Sequence, residues 1–185
     1  WMLANIKNAL LLATSNRSEA SVGYATMDGD TSGSISPIAG IDKAYLRTWL
    51  RWMENQGLAG DWRVSGLANV NQLEPSAELR PLGSKQVDEE DLMPYPILNA
   101  LERWSFYEHQ SPEACFNSLK NTYGTTFTED QLNGFIHRFF RLWARNQWKR
   151  ERYAPGFHVD DYSLDPKSWL RFPILSAGLE KDLPQ

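Results

Sequence analysis

A short apolar run, Ala9-Leu10-Leu11-Leu12-Ala13, breaks off at a wholly polar cluster, Thr14-Ser15-Asn16-Arg17-Ser18-Glu19. A run this short and without alternation suits a strand covered on both faces, the kind that parallel sheets contain. Polar groups crowding the carboxyl end of such a strand stand where open α/β sheets gather their ligands. The run therefore predicts an α/β fold, a parallel sheet with flanking helices. The cluster marks the first place to look for a site.

Beyond the strand, Asn16 or Ser18 can cap a short helix by accepting a hydrogen bond from an unpaired backbone N–H, which leaves Glu19 near the positive helix end. A carboxylate there either completes the cap or holds Mg²⁺, which takes oxygen ligands and bridges phosphates. Asp28-Gly29-Asp30-Thr31-Ser32-Gly33-Ser34 lacks apolar anchors and is rich in residues tolerant of unusual backbone angles, so it is expected to be a loop. Its Asp-x-Asp opening is shared with calcium loops, yet no glutamate follows at the required distance.

Helical spacing governs most of the remainder. Trp1 to Lys7 reads as the end of an amphipathic helix, and 42–55 as a helix capped by Asp42 and stopped at Gly57. The segment from Gln72 to Tyr95 is charged and interrupted by Pro75, Pro81 and Pro94. Loops of this length are either solvated or serve as lids. Helices are expected over 96–107 and over 111–121, the latter with Ser111 as cap and Cys115 as a small buried hydrophobe. Thr128 to Arg152 reads as one long helix whose apolar face is Leu132, Phe135, Ile136, Phe139 and Trp143. Its basic stripe, Arg138, Arg141, Arg145, Lys149 and Arg152, is open to three readings: a solvated face, a nucleic-acid surface, or phosphate ligands at the Lys149-Arg150 end. The tail from Tyr153 has no period and is expected to wrap the domain through Trp169, Phe172 and Ile174.

Composition excludes several classes. At 185 residues, 42% hydrophobic and 23% charged, the chain fits one ordinary globular domain. A net charge of −4 offers no reason to expect nucleic-acid or membrane partners. A single cysteine precludes an internal disulfide and a CxxC motif, and no apolar run approaches the length needed to span a bilayer, so a cytoplasmic setting is expected. His109, His137 and His158 are not spaced as a ligand cluster, and His158-Val159-Asp160-Asp161 reads as a surface loop.

Several separated blocks also resemble one family. Thr14-Ser15-Asn16-Arg17-Ser18-Glu19, followed by Gly23-Tyr24-Ala25-Thr26 and Gly29-Asp30, is similar to the deamido-NAD and ATP site of NAD synthetases. Pro37-Ile38 with Lys43, Pro75-Ser76-Ala77-Glu78-Leu79, an acidic loop ending at Pro94-Tyr95, and Lys149-Arg150 before Pro155-Gly156 agree in order. The resemblance implies the adenine-nucleotide alpha-hydrolase-like (N-type ATP pyrophosphatase) fold and ATP-dependent amidation of deamido-NAD through an adenylate, with Mg²⁺ and ATP required. It assigns Thr14 to ATP, Glu19 to the metal and substrate region, and Tyr24, Asp30, Thr31 and Lys149 to deamido-NAD. It also implies a homo-oligomer.

Met27 and Leu73 stand where the short, ammonia-dependent enzymes carry lysine, and Trp148 where they carry histidine. These departures favour the long, glutamine-dependent form. The family's Ser-Gly-Gly-x-Asp-Ser phosphate loop and the long form's glutaminase domain have no counterpart in these residues. Residues 1–185 are thus expected to be the C-terminal portion of the synthetase domain, with both of those parts upstream. Two other readings compete: a non-catalytic nucleotide-binding or assembly module, and a related adenylating amidotransferase.

Overall fold

The computed structural model describes residues 1–57, 62–76, 87–161, 163–174 and 178–183. Its centre is helical. Helix α1 spans Met2–Lys7, α2 Arg17–Val22, α3 Lys43–Asn55, α4 Leu67–Asn71, α5 Asp88–Asp91, α6 Tyr95–Glu102, α7 Pro112–Tyr123, α8 Glu129–Arg145 and α9 Gln147–Arg150. The core forms where α6, α7 and α8 meet, because each carries its apolar residues three and four apart. Ile97, Leu98, Leu101, Cys115, Leu119, Leu132, Ile136, Phe139 and Trp143 are buried there, and Val22 brings α2 onto the same cluster.

Local chemistry sets the helix starts. The side chains of Asn16, Asp42, Ser111 and Thr128 each accept a hydrogen bond from a backbone N–H three residues on. Asn16–Glu19 and Thr128–Gln131 are complete capping boxes. Cys115 is fully buried and burial raises its thiol pKa, which makes it an inert packing residue.

Four expectations need correction, three of them in the helices and the tail. Residues 96–107 are not one α-helix: α6 ends at Glu102 and the chain continues as a π-helical turn, Arg103–Tyr107. That wider turn carries Phe106 onto Trp143, with ring centroids 3.7 Å apart. The helix expected over 128–152 breaks at Asn146, whose φ of −103° and ψ of 14° leave the helical region and redirect α9. The third correction concerns the tail: Phe172 does meet Trp143, with ring centroids 6.3 Å apart, but Trp169 and Ile174 are about half exposed, and Leu164, Leu170, Leu179 and Leu183 pack instead.

The expected buried strand is also different. Among the described residues, β pairing is confined to two isolated parallel bridges, Leu12 to Ile35 and Ser36 to Gly156. Ala13 N donates to Ile35 O at 2.8 Å and Ser34 N to Leu11 O at 2.8 Å, so Leu11–Ala13 has one parallel neighbour. Leu10 and Leu12 remain 65% and 53% exposed. A parallel strand is buried by elements on both of its faces, and no described element covers these two side chains. No helix among the described residues is long and apolar enough to cross a membrane.

Candidate functional site

Helix α2 organises the site because the chain enters it from the extended run and leaves it into the Gly23–Gly33 turns. At its start, Glu19 serves two neighbours. Its Oε2 accepts from Asn16 N at 3.3 Å, and its Oε1 accepts from Lys43 Nζ at 2.8 Å. Lys43 is the first residue of α3, where the helix dipole disfavours a cation, and Glu19 offsets that cost. Thr14 lies two residues ahead of the cap and is exposed.

Below the cap, Arg17 is nearly buried and gathers charge. Its guanidinium donates to Gly40 O at 3.0 Å and to Asp160, and lies 3.5 Å from both Asp42 and Glu102. Burial, set against the opposing pull of the Ser21 hydroxyl and Arg17, pushes the Glu102 carboxyl up to about 7.

At the far end, Gly23 closes α2 in the left-handed conformation, φ +63°. Tyr24 turns back so that its hydroxyl donates to Asp91 Oδ2 at 3.2 Å. Asp30 Oδ2 accepts from Thr26 N at 2.6 Å, and Thr31 is buried with its Oγ1 accepting from Asp28 N at 2.9 Å. Lys149 Nζ donates to Gly23 O and Ala25 O, each at 3.0 Å. Tyr24, Thr26, Asp30, Leu92, Asn146 and Lys149 line one cavity of about 250 Å³.

The structure thus places Tyr24, Asp30 and Lys149 around a single cavity, although Lys149 is far from the others in the chain. Thr14 and Glu19 lie at the opposite end of α2. The Thr31 hydroxyl is turned inward and spent on the turn. The stretch Ala77-Glu78-Leu79 of the proline block, and 77–86 of the charged loop, lie outside the described residues. Burial first, and then the charges of Glu19 and Asp30, push the Tyr153 hydroxyl well above its ordinary range, with Ser15 opposing the rise.

Sequence reasoning passed over the roles of Lys43, Asn146 and Arg150. A cation directly after the Asp42 cap was one signal, since it calls for a nearby anion. The low helix propensity of Asn within the 128–152 pattern was another. Arg150 reads with Lys149 as a phosphate ligand, and the structure corrects that half of the pair: Arg150 is buried, with its guanidinium held by Ser21 O, Trp143 O and Gln147 Oε1.

The donor set bears on Mg²⁺. No group of three or more His, Cys, Asp or Glu side chains is arranged to hold a metal ion among the described residues. Glu19 fits as a single carboxylate ligand: Oε2 has only one long hydrogen bond, and Mg²⁺ commonly takes one carboxylate together with phosphate oxygens and water.

The NAD synthase family model matches residues 1–151. The chain is 31% identical over 179 residues to the glutamine-dependent NAD(+) synthetase of Synechocystis, covering 95% of this chain and 27% of that protein. It is 28% identical to the mouse protein of the same name, covering 95% of this chain and 24% of that one. The crystal structure of a glutamine-dependent NAD(+) synthetase from Cytophaga hutchinsonii superposes with a TM-score of 0.79 at 45% identity, covering 98% of this chain and 27% of that chain. The chain therefore spans about a quarter of the length of the relatives it matches.

Proposed function

Because the chain belongs to the NAD synthase family, we propose that it is part of an enzyme that amidates deamido-NAD to NAD at the expense of ATP. The observation that carries this reading is the cavity shared by Tyr24, Asp30 and Lys149, at the other end of the short helix that bears Glu19. Six residues at a rise of about 1.5 Å each separate the two ends by roughly 9 Å, a spacing suited to two nucleotides bound side by side.

The nicotinate carboxylate of deamido-NAD attacks the α-phosphate of ATP. An oxygen–phosphorus bond forms, the bond to pyrophosphate breaks, and an acyl adenylate results. Ammonia then attacks the acyl carbon, AMP leaves with the bonding electron pair, and the surplus proton passes to solvent. Two anions must meet in the first step, so positioned cations supply the acceleration.

Lys149 suits that task. An ammonium has three N–H groups, two of which are held by Gly23 O and Ala25 O, which leaves one for a ligand of the cavity that Lys149 lines. Tyr24 and Asp30 orient the dinucleotide. Thr14 contacts ATP, and Glu19, steadied by Lys43, offers a carboxylate oxygen to Mg²⁺. The metal, when bound, neutralises phosphate charge.

The phosphate-gripping loop belongs to residues outside this segment. Ammonia comes from glutamine through a further domain, as the names of the relatives suggest. The enzyme works in the cytoplasm as a homo-oligomer on the adenine-nucleotide alpha-hydrolase-like fold, and the Leu12, Ile35 and Gly156 segments join its parallel sheet.

The test is pyrophosphate release by the intact polypeptide carrying this segment, with ATP, deamido-NAD and either glutamine or ammonia. Glu19→Gln and Lys149→Ala are each expected to lower the rate by more than about tenfold, since a lost charge contact at the reacting centre costs well over ~1 kcal/mol. Rates within about threefold of the parent would remove both residues from the mechanism.

A further inference from the structure

The turn after α2 satisfies the Glu19 and Ala20 carbonyls through the Tyr24 and Gly23 amides and leaves those of Ser21, Val22 and Gly23 to other partners. One short stretch more than a hundred residues away takes each of them with a different side chain. Arg150 Nη1 donates to Ser21 O at 2.8 Å, Asn146 Nδ2 to Val22 O at 2.7 Å, and Lys149 Nζ to Gly23 O at 3.0 Å. The fit is tight: a Cβ on Gly23 would stand 2.3 Å from Asn146 Cβ. The Asn146 break in the long helix is what lets these three residues face one helix end together.

Arg150 is 1% exposed and immobilised from behind. Its Nε and Nη2 donate to Gln147 Oε1 at 3.1 and 2.9 Å, Nη2 also donates to Trp143 O, and the guanidinium lies 3.7 Å over the Trp143 ring. These partners are neutral oxygens. Its charge therefore meets the partial negative charge of the α2 terminus directly, and the Glu151 carboxylate acts on it only at longer range, without a direct ion pair. Burial lowers its pKa, as expected for a cation so placed. The other end of α2 is tied by separate residues, through the Asn16–Glu19 box, Lys43, and Arg17 with Asp160 and Asp42.

We propose that Asn146 and Arg150 are positioning residues that lock the Gly23–Asp30 turn against Lys149, and so govern binding of deamido-NAD independently of ATP. The inference rests on the functional reading above. Since the two ends of α2 are held separately, loosening one is expected to spare the other. A general loss of packing would act on both.

The experiment uses the intact enzyme with Asn146→Ala and Arg150→Lys. Each is expected to raise KM for deamido-NAD by about tenfold or more, with KM for ATP within about threefold of the parent. Asn146 lines the cavity and Arg150 does not, so the same selectivity in both variants identifies positioning. An effect confined to Asn146→Ala, a parallel rise in both KM values, or no change would overturn the proposal. Should Arg150→Lys fail to accumulate, Gly23→Ala tests the same clamp by forcing Asn146 aside.

Hydrogen exchange supplies a readout that needs no turnover. The Thr26, Asp28 and Asp30 amides are expected to exchange faster in the variants, with Arg17 and Glu19 amides unchanged; uniform or unaltered exchange would overturn the clamp. A parent enzyme that releases no pyrophosphate with deamido-NAD refutes the functional reading, and with it the substrate assignment, while the exchange pattern still decides whether the clamp exists.

Discussion

A single carboxyl, Glu102, shows what it costs to organise charge beneath α2. It is fully buried, neither oxygen has a hydrogen-bond partner, and its nearest cation is Arg17 Nε at 3.5 Å. Burial raises its pKa from 4.5 to about 7, Asp42 adds to the rise, and the Ser21 hydroxyl and Arg17 counter it. A group whose folded pKa exceeds its unfolded value holds its proton more tightly when folded. Its contribution to stability is therefore fully present below about pH 4.5 and is lost as the pH rises through about 7. Glu102→Gln keeps the shape and removes the charge. The variant is expected to be more stable than the parent at about pH 8, by an amount on the order of a few kcal/mol, with the gap closing toward pH ~4. Urea midpoints measured across that range decide the matter, and parallel curves would show that Glu102 titrates normally.

At the scale of elements, helix starts and the end of α3 were legible, whereas the interruptions inside the longer apolar patterns were not. Asn16, Asp42, Ser111 and Thr128 each satisfy a backbone N–H within three residues, so their signal is complete in the local sequence. Thr128→Ala, exposed and remote from α2, is expected to cost about 1 kcal/mol of stability while leaving activity per folded molecule unchanged, as thermal denaturation and a rate assay would show. Beyond the low helix propensity of Asn, the break at Asn146 was hidden because the reason for it lies across the fold, in the carbonyls of Ser21, Val22 and Gly23. The π-helical turn at Arg103–Tyr107 was hidden likewise: the apolar spacing of 96–107 also suits a plain helix, and the Phe106–Trp143 stack that accompanies the wider turn is a tertiary contact. The same division runs through the site. The resemblance named Tyr24, Asp30 and Lys149 as candidates, and the fold brings the three to one cavity, whereas Lys43 and Arg150 act through partners that no local window contains.

Over the whole molecule, apolar side chains are unevenly distributed between the α6–α8 core and the first dozen residues. Phe139 and Leu98 are fully buried, whereas Trp1, Leu3, Ile6 and Leu10 are each more than 60% exposed and α1 has no buried residue. Burial decides what a side chain contributes, because an apolar group that stays in water folded and unfolded gains nothing on folding. Phe139→Ala is accordingly expected to destabilise the 185-residue chain by ~3–5 kcal/mol, while Leu10→Thr is expected to change its stability by under ~0.5 kcal/mol. Chemical denaturation at two protein concentrations reads both. A Leu10→Thr penalty that grows with concentration would mean that copies of the chain cover this face in solution, since an exposed patch of such residues favours association. A concentration-independent penalty of core size would instead place Leu10 inside the fold, contradicting the single-neighbour arrangement of the Ala9–Ala13 run.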